Sequence, residues 1–184
     1  MAHQQQRRGE DEQDDRMIRF RRAFEERSGQ DMEVDAWELL DILNTSSLQR
    51  DLHHDYFSLE ACKSMVALSD EDRTGKLGFE EFMELWANIC AWKGFFKRAD
   101  TDSSGMISID EMTVALTSLG FKLKNDTFRA LGMRYGNKEN NLSLASFIHV
   151  AIRVRFMYNI FASKSRSGNT RFNLEELLMV HFYS

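Results

Sequence analysis

The 184-residue sequence contains no proline. The residue that most often breaks a helix is missing, which favours long helices over a loop-rich or strand-rich fold. Cysteine is scarce, with only Cys62 and Cys90 present. Two thiols in a chain this long make no disulfide framework, so a reducing intracellular (cytoplasmic) setting is expected. No apolar run approaches the roughly 20 residues of a spanning helix, so no membrane span is expected. The start, residues 1–16, is polar and charged and lacks a signal-peptide core. Positive charge is not in excess, since 24 Lys and Arg face 29 Asp and Glu for a net charge of −5. That balance argues against nucleic acid as a partner. Strand signals are confined to the triplets Lys76-Leu77-Gly78 and Met106-Ile107-Ser108.

What is present is an apolar pattern at helical spacing. The 14 phenylalanines and 10 methionines suit an adaptable interior or groove. Residues 1–16 lack that spacing and read as a disordered linker or an expression-derived end. Residues 17–184 read as one folded domain. Met17, Phe20 and Phe24 share one face. Trp37, Leu40 and Leu43 form the next. Ser58 is placed to cap a helix that turns Leu59, Cys62, Met65 and Val66 inward. Two long helices are expected, Phe79 to Arg98 and Leu144 to Ala162, with a final one from about Asn173 to Phe182.

A unit of helix, polar loop with central glycine, apolar residue and helix recurs around residues 28–38, 70–81, 100–111, 135–146 and 163–174. Its loops carry the chemistry. Calcium takes six to eight oxygen ligands, which a 12-residue loop supplies from positions 1, 3, 5, 7, 9 and 12, with glycine at 6 for the turn. In DEDRTGKLGFEE, Asp70, Asp72 and Thr74 fill positions 1, 3 and 5. Lys76 offers its carbonyl, Gly78 leaves room for water, and Glu81 closes the site. In DTDSSGMISIDE, the matching ligands are Asp100, Asp102, Ser104, the Met106 carbonyl, Ser108 and Glu111. Thr74 and Ser104 stand where the strict pattern has Asp or Asn, yet both supply oxygen. These are EF-hand loops, and the fold class is all-α, five such helix–loop–helix units sharing the two long helices. The ligand count suits affinities on the order of 10⁻⁷–10⁻⁵ M, with magnesium competing poorly. The fourth loop lacks a closing Glu, with Ser146 there, and the fifth has no carboxylate at its ligand positions. Neither is expected to hold metal.

The first repeat, Ser28-Gly-Gln-Asp-Met-Glu-Val-Asp-Ala-Trp-Glu38, spans 11 residues rather than 12. It resembles the variant first loop of the penta-EF-hand family, particularly of calpains. Phe57-Ser-Leu-Glu-Ala-Cys62, Gly75-Lys-Leu-Gly78 and Leu119-Gly-Phe-Lys122 resemble calpains too. The resemblance covers roughly residues 17–184. It implies calcium ligands from the carbonyls of Ser28 and Glu33 and the side chains of Asp31 and Glu38. It also implies a calcium-binding regulatory and dimerisation domain of a calcium-dependent cysteine protease. The partners implied are a protease core and a second penta-EF-hand subunit, met through the fifth hand as homo- or heterodimer. Without a Gly-rich leader, the sequence suggests a divergent large subunit. The core is not in this sequence, so this chain is not expected to be an enzyme. Cys62 on an apolar helix face reads as a buried inert thiol, and His53-His54 as polar loop. The alternatives are a free-standing calcium-dependent adaptor for a helical peptide, or a calcium buffer. Loops one and two should pair, as should three and four, leaving the fifth for a dimer.

Overall fold

The computed structural model describes residues 21–22, 24–29, 31–46, 52, 55–166 and 171–183. Residues 1–16, the Met17 and Phe20 face, His53-His54 and Gly168 lie outside them. Arg21, Arg22, Phe24 and Glu25 are helical. Seven further helices follow: α1 (Ala36–Thr45), α2 (Leu59–Ser69), α3 (Phe79–Ala99), α4 (Ile109–Ser118), α5 (Asn125–Tyr135), α6 (Leu144–Arg166) and α7 (Leu174–Tyr183). The strands are two residues each, β1 (Met106–Ile107) and β2 (Leu142–Ser143). The fold is all-α with two long shared helices, as the periodicity predicts.

The hands pair through their loops. Val34 and Leu77 bridge loops one and two, with both N–H···O distances at 2.8 Å. β1 and β2 pair antiparallel, Ile107 opposite Leu142 and Met106 opposite Ser143, joining loops three and four. All four apolar partners, Val34, Leu77, Ile107 and Leu142, are fully buried. Burial of these apolar loop residues is what holds each pair of loops back to back.

The core gathers one face of α1 to α5 and the first half of α6. Leu39, Ile42 and Leu43 of α1 meet Ala61, Cys62, Met65 and Val66 of α2, while α3 contributes Phe82, Leu85, Ile89, Trp92 and Phe96. Phe24 packs its ring on Phe79 and Phe82, both at 5.3 Å. The Asn44 side chain donates to the Phe57 carbonyl (3.0 Å) and accepts from its amide (2.9 Å), tying the end of α1 to the approach to α2.

Two sequence expectations change. Trp37 is 65% exposed: it lies in the first turn of α1, on the side away from Leu39, Ile42 and Leu43. Phe161 is 50% exposed, because α6 runs past the core after Ile152. One described helix, α6, is long and apolar enough to cross a membrane by length and composition, with mean hydropathy 1.2 over its best window. Its first half is core: Leu144, Ala145, Phe147, Ile148, Val150, Ala151 and Ile152 are all buried.

Candidate metal centre

In each of the first three loops the closing glutamate accepts from the backbone amide of the residue that caps its exit helix. Asp35 caps α1, accepting from the amides of Trp37 (2.8 Å) and Glu38 (2.9 Å), and Glu38 Oε2 accepts from Asp35 N at 3.0 Å. Gly78 begins α3, and its amide donates to Glu81 Oε2 at 2.9 Å. Ser108 caps α4, and its amide donates to Glu111 Oε2 at 2.9 Å. The closing Glu is thus the third residue of its helix, reaching back to the cap. This fixes the carboxylate at the mouth of the loop without any metal. The Asp35-x-x-Glu38 signature was visible in the sequence, though Asp35 was not among the residues singled out there.

Loop two converges furthest. Asp70, Asp72 and Glu81 each present an oxygen, all within 4.8 Å of one another. The amides of Thr74 and Gly75 hold Asp70, at 3.1 and 2.8 Å, and Thr74 N also reaches Asp72 Oδ1 at 3.2 Å. Glu81 Oε1 accepts from Glu71 N at 2.7 Å. The Thr74 hydroxyl lies 3.4 Å from the Lys76 carbonyl, so that carbonyl faces the loop interior. Gly75 has φ +82°, the left-handed conformation the turn demands.

Loop three repeats the pattern. Ser104 N donates to Asp100 Oδ1 (2.9 Å) and Asp102 Oδ1 (3.0 Å), and Gly105 N to Asp100 Oδ2 (3.0 Å). Ser104 Oγ lies 2.9 Å from the Met106 carbonyl. Glu111 is held by Ser108 and by the Thr101 hydroxyl at 3.2 Å. Bonds from Ser104 keep Asp102 below its ordinary pKa, and the Ser108 amide does the same for Glu111. The three carboxylates here are not gathered as closely as those of loop two.

Loop one brings its two acids together over Gly29. A Cβ on that glycine would stand 3.5 Å from Glu38 Oε1 and 3.9 Å from Asp31 Oδ1. Ser28 is fully buried, its amide donating to the Phe24 carbonyl at 2.8 Å. The Glu33 amide donates to Asp31 Oδ1 at 3.3 Å. Asp31 also pairs with the Lys76 ammonium of loop two, a contact that no spacing in the sequence signals. That bond holds the Asp31 carboxyl below its usual range.

The fourth loop keeps the scaffold and loses the acids of positions 1 and 12, where Tyr135 and Ser146 stand. Ser143 takes the cap, accepting from Ser146 N at 3.2 Å, and its hydroxyl bonds the Asp55 carboxylate. The fifth differs from its expected boundary. Asn173 and Glu176 exchange bonds at 2.9 Å, so the closing acid sits two residues beyond Leu174. Lys164 pairs with that acid at 2.5 Å, donates to the Arg171 carbonyl at 3.0 Å and lies 4.6 Å from the Phe172 ring.

Donors of loops two and three are carboxylates, hydroxyls and carbonyls, all oxygen. That hard set fits calcium. Cys62 is buried and its thiol is pushed up to about 12 by that burial, so it offers neither ligand nor nucleophile.

A family model described as an EF-hand domain pair matches residues 30–89. The chain is 41% identical over 168 residues to the rat protein "Calpain small subunit 1", covering 90% of this chain and 62% of that relative. It is 38% identical over 169 residues to human "Calpain small subunit 2", covering 90% of this chain and 68% of that one. The chain therefore spans less than two-thirds of the small subunit 1 relative. These relatives are named as small subunits, whereas the expectation above is a divergent large subunit. A solved homolog of programmed cell death 6 protein from Leishmania major Friedlin matches with a TM-score of 0.60 at 22% identity, over 90% of this chain and 92% of its own. That likeness is one of fold.

Proposed function

The chain belongs to the calpain small-subunit family of calcium-binding EF-hand regulatory chains, and from that premise we propose that its first three hands are the calcium sites. Loop two would use Asp70, Asp72, Thr74, the Lys76 carbonyl and Glu81. Loop three would use Asp100, Asp102, Ser104, the Met106 carbonyl, Ser108 and Glu111. Loop one would use the carbonyls of Ser28 and Glu33 with Asp31 and Glu38. A bound calcium ion supplies the two positive charges that offset mutual repulsion of these carboxylates. The residues themselves do the placing: glycine turns the loop, amides aim the aspartates, and the helix cap aims the glutamate. Binding would tighten each loop on its exit helix, and so move helix against helix. In a full assembly that motion would regulate a cysteine-protease core on another chain. The fifth hand would join this chain to a second penta-EF-hand subunit. We place the protein inside the cell, consistent with free Cys62 and Cys90.

The observation that carries the reading is the convergence of Asp70, Asp72 and Glu81 within 4.8 Å. Calorimetric titration of the full chain with calcium tests it. Glu81→Gln and Glu111→Gln should each weaken one binding event by about tenfold or more. Absence of binding heat in the unsubstituted chain would end the proposal.

A further inference from the structure

Lys76 faces two loops. Its carbonyl turns into loop two, 3.4 Å from the Thr74 hydroxyl. Its side chain leaves in the other direction and pairs with Asp31 of loop one, 45 residues earlier. The backbone dictates this reach. Leu77, next in sequence, is bridged to Val34 by two 2.8 Å bonds, which places the base of the Lys76 side chain beside the strand-like end of loop one. Glu33 and Glu38 add to the negative field around the ammonium. The lysine therefore stands among the acids that are to receive a divalent ion.

We propose that Lys76 is a resident cation of the first loop, so that calcium enters that loop only by displacing the ammonium from Asp31, and Lys76 thereby sets the loop's affinity. The proposal rests on the reading of residues 28–38 as a cation site. The chemistry is competition for one carboxylate. A monovalent ammonium satisfies Asp31 when calcium is low, and a divalent ion with more oxygen ligands outbids it when calcium rises. The two cations also repel at close range, so the freed ammonium must swing into solvent. That route is open, because the Lys76 and Asp31 side chains are 37% and 47% exposed. The same exposure limits the effect, since solvent-exposed pairs are weak. The first loop thus loads later than its ligands alone would set, after loop two has fixed the backbone that carries the lysine.

Amide NMR titration of the full chain with calcium tests this, following Gly29 for loop one, Gly75 for loop two and Gly105 for loop three. Lys76→Met keeps the carbonyl and the aliphatic stem and removes the charge, at an exposed position where folding is not at stake. The midpoint at Gly29 should fall by about 2–5-fold, while Gly105 stays put and Gly75 moves less than Gly29. Lys76→Arg, which keeps the charge, should leave the Gly29 midpoint near its original value. Gly29 unmoved or weakened in Lys76→Met would overturn the proposal. So would equal tightening at Gly75, because a general gain in negative charge would then explain it. A Gly29 amide that is silent originally and responds only in Lys76→Met would support it in its strongest form. Silence in both proteins would show that residues 28–38 hold no ion, a failure of the underlying site reading that takes this proposal with it.

Discussion

Glu38, Glu81 and Glu111 each spend one oxygen on the amide of their helix cap, at 2.9–3.0 Å. Any change to the cap should therefore be felt by the carboxylate. In loop three the Ser108 hydroxyl accepts from Glu111 N at 3.3 Å and lies 3.0 Å from Glu111 Oε2. Ser108→Ala should cost about 1 kcal/mol of stability, the usual worth of a lost N-cap, and should weaken calcium at loop three while loop two keeps its affinity. Thermal melts without calcium and calorimetry with it read the two effects separately. A second residue gives a pH signature. His149 is half-buried on α6, its ring 5.1 Å from that of Tyr135, and its Nε2 has no hydrogen-bond partner. Burial, with help from Arg153 and Arg134 and against Glu60, pushes its pKa down to about 4 from 6.5. The folded state thus holds His149 neutral. Below pH 6.5 the unfolded chain takes up a proton that the folded chain refuses, so stability falls as pH drops from 6.5 towards 4. Carboxylates with lowered values, such as Glu111, lose their contribution only further down, below about pH 4.5. Denaturant melts between pH 7 and pH 5 isolate the histidine. His149→Phe should flatten that slope, and an unchanged slope would place the cause elsewhere.

At the scale of elements, α5 approaches α4 through a missing side chain. A Cβ on Gly132 would lie 2.6 Å from Ile109 Cγ1, too close for either to stay where it is. Gly132→Ala should cost roughly 1–3 kcal/mol through overpacking, loosening hands three and four while hands one and two persist. Amide exchange, resolved by segment, would show protection lost in α4 and α5 first. The loops and their exit helices were legible in the sequence because ligand spacing and cap spacing coincide: position nine caps and position twelve is the third helical residue. Leu77 and Ile107 were legible as pairing residues for the same reason. The fifth loop was not, because its Asn173 cap and Glu176 stand two residues later than the twelve-residue frame of 163–174 puts them. Trp37 misled because three apolar residues at helical spacing define a face only if the helix start is known, and α1 begins one residue before it. The Lys76–Asp31 pair was beyond reach, since only the Val34–Leu77 bridge brings the two together.

Across the whole molecule, an odd number of hands leaves one face without a neighbour. Hands one and two share the Val34–Leu77 bridge, and hands three and four share β1 and β2. Among the described residues, the fifth has no such bridge. Its helices keep their apolar side chains outside: Leu174, Leu177 and Leu178 on α7 are 71%, 52% and 42% exposed, beside Phe161 at 50% on α6. Lys164 pins α7 to α6 through Glu176, so an internal cation holds this face in shape. The second penta-EF-hand subunit proposed above would meet this face, since a two-fold axis would set two such faces together, each burying the other. Leu177→Asp tests that assembly where it is apolar and away from the acids of loops one to three. Each buried leucine is worth about 1.5–3 kcal/mol, and symmetry counts the change twice. Dimer affinity should then fall by roughly 10²–10⁴-fold, which sedimentation velocity at micromolar protein detects as a shift to monomer. Calcium binding at loops two and three should be unchanged in the same variant, because the substitution touches neither their ligands nor their caps. A Leu177→Asp chain that still sediments as a dimer would move the interface off α7, and the exposed leucines would need another partner.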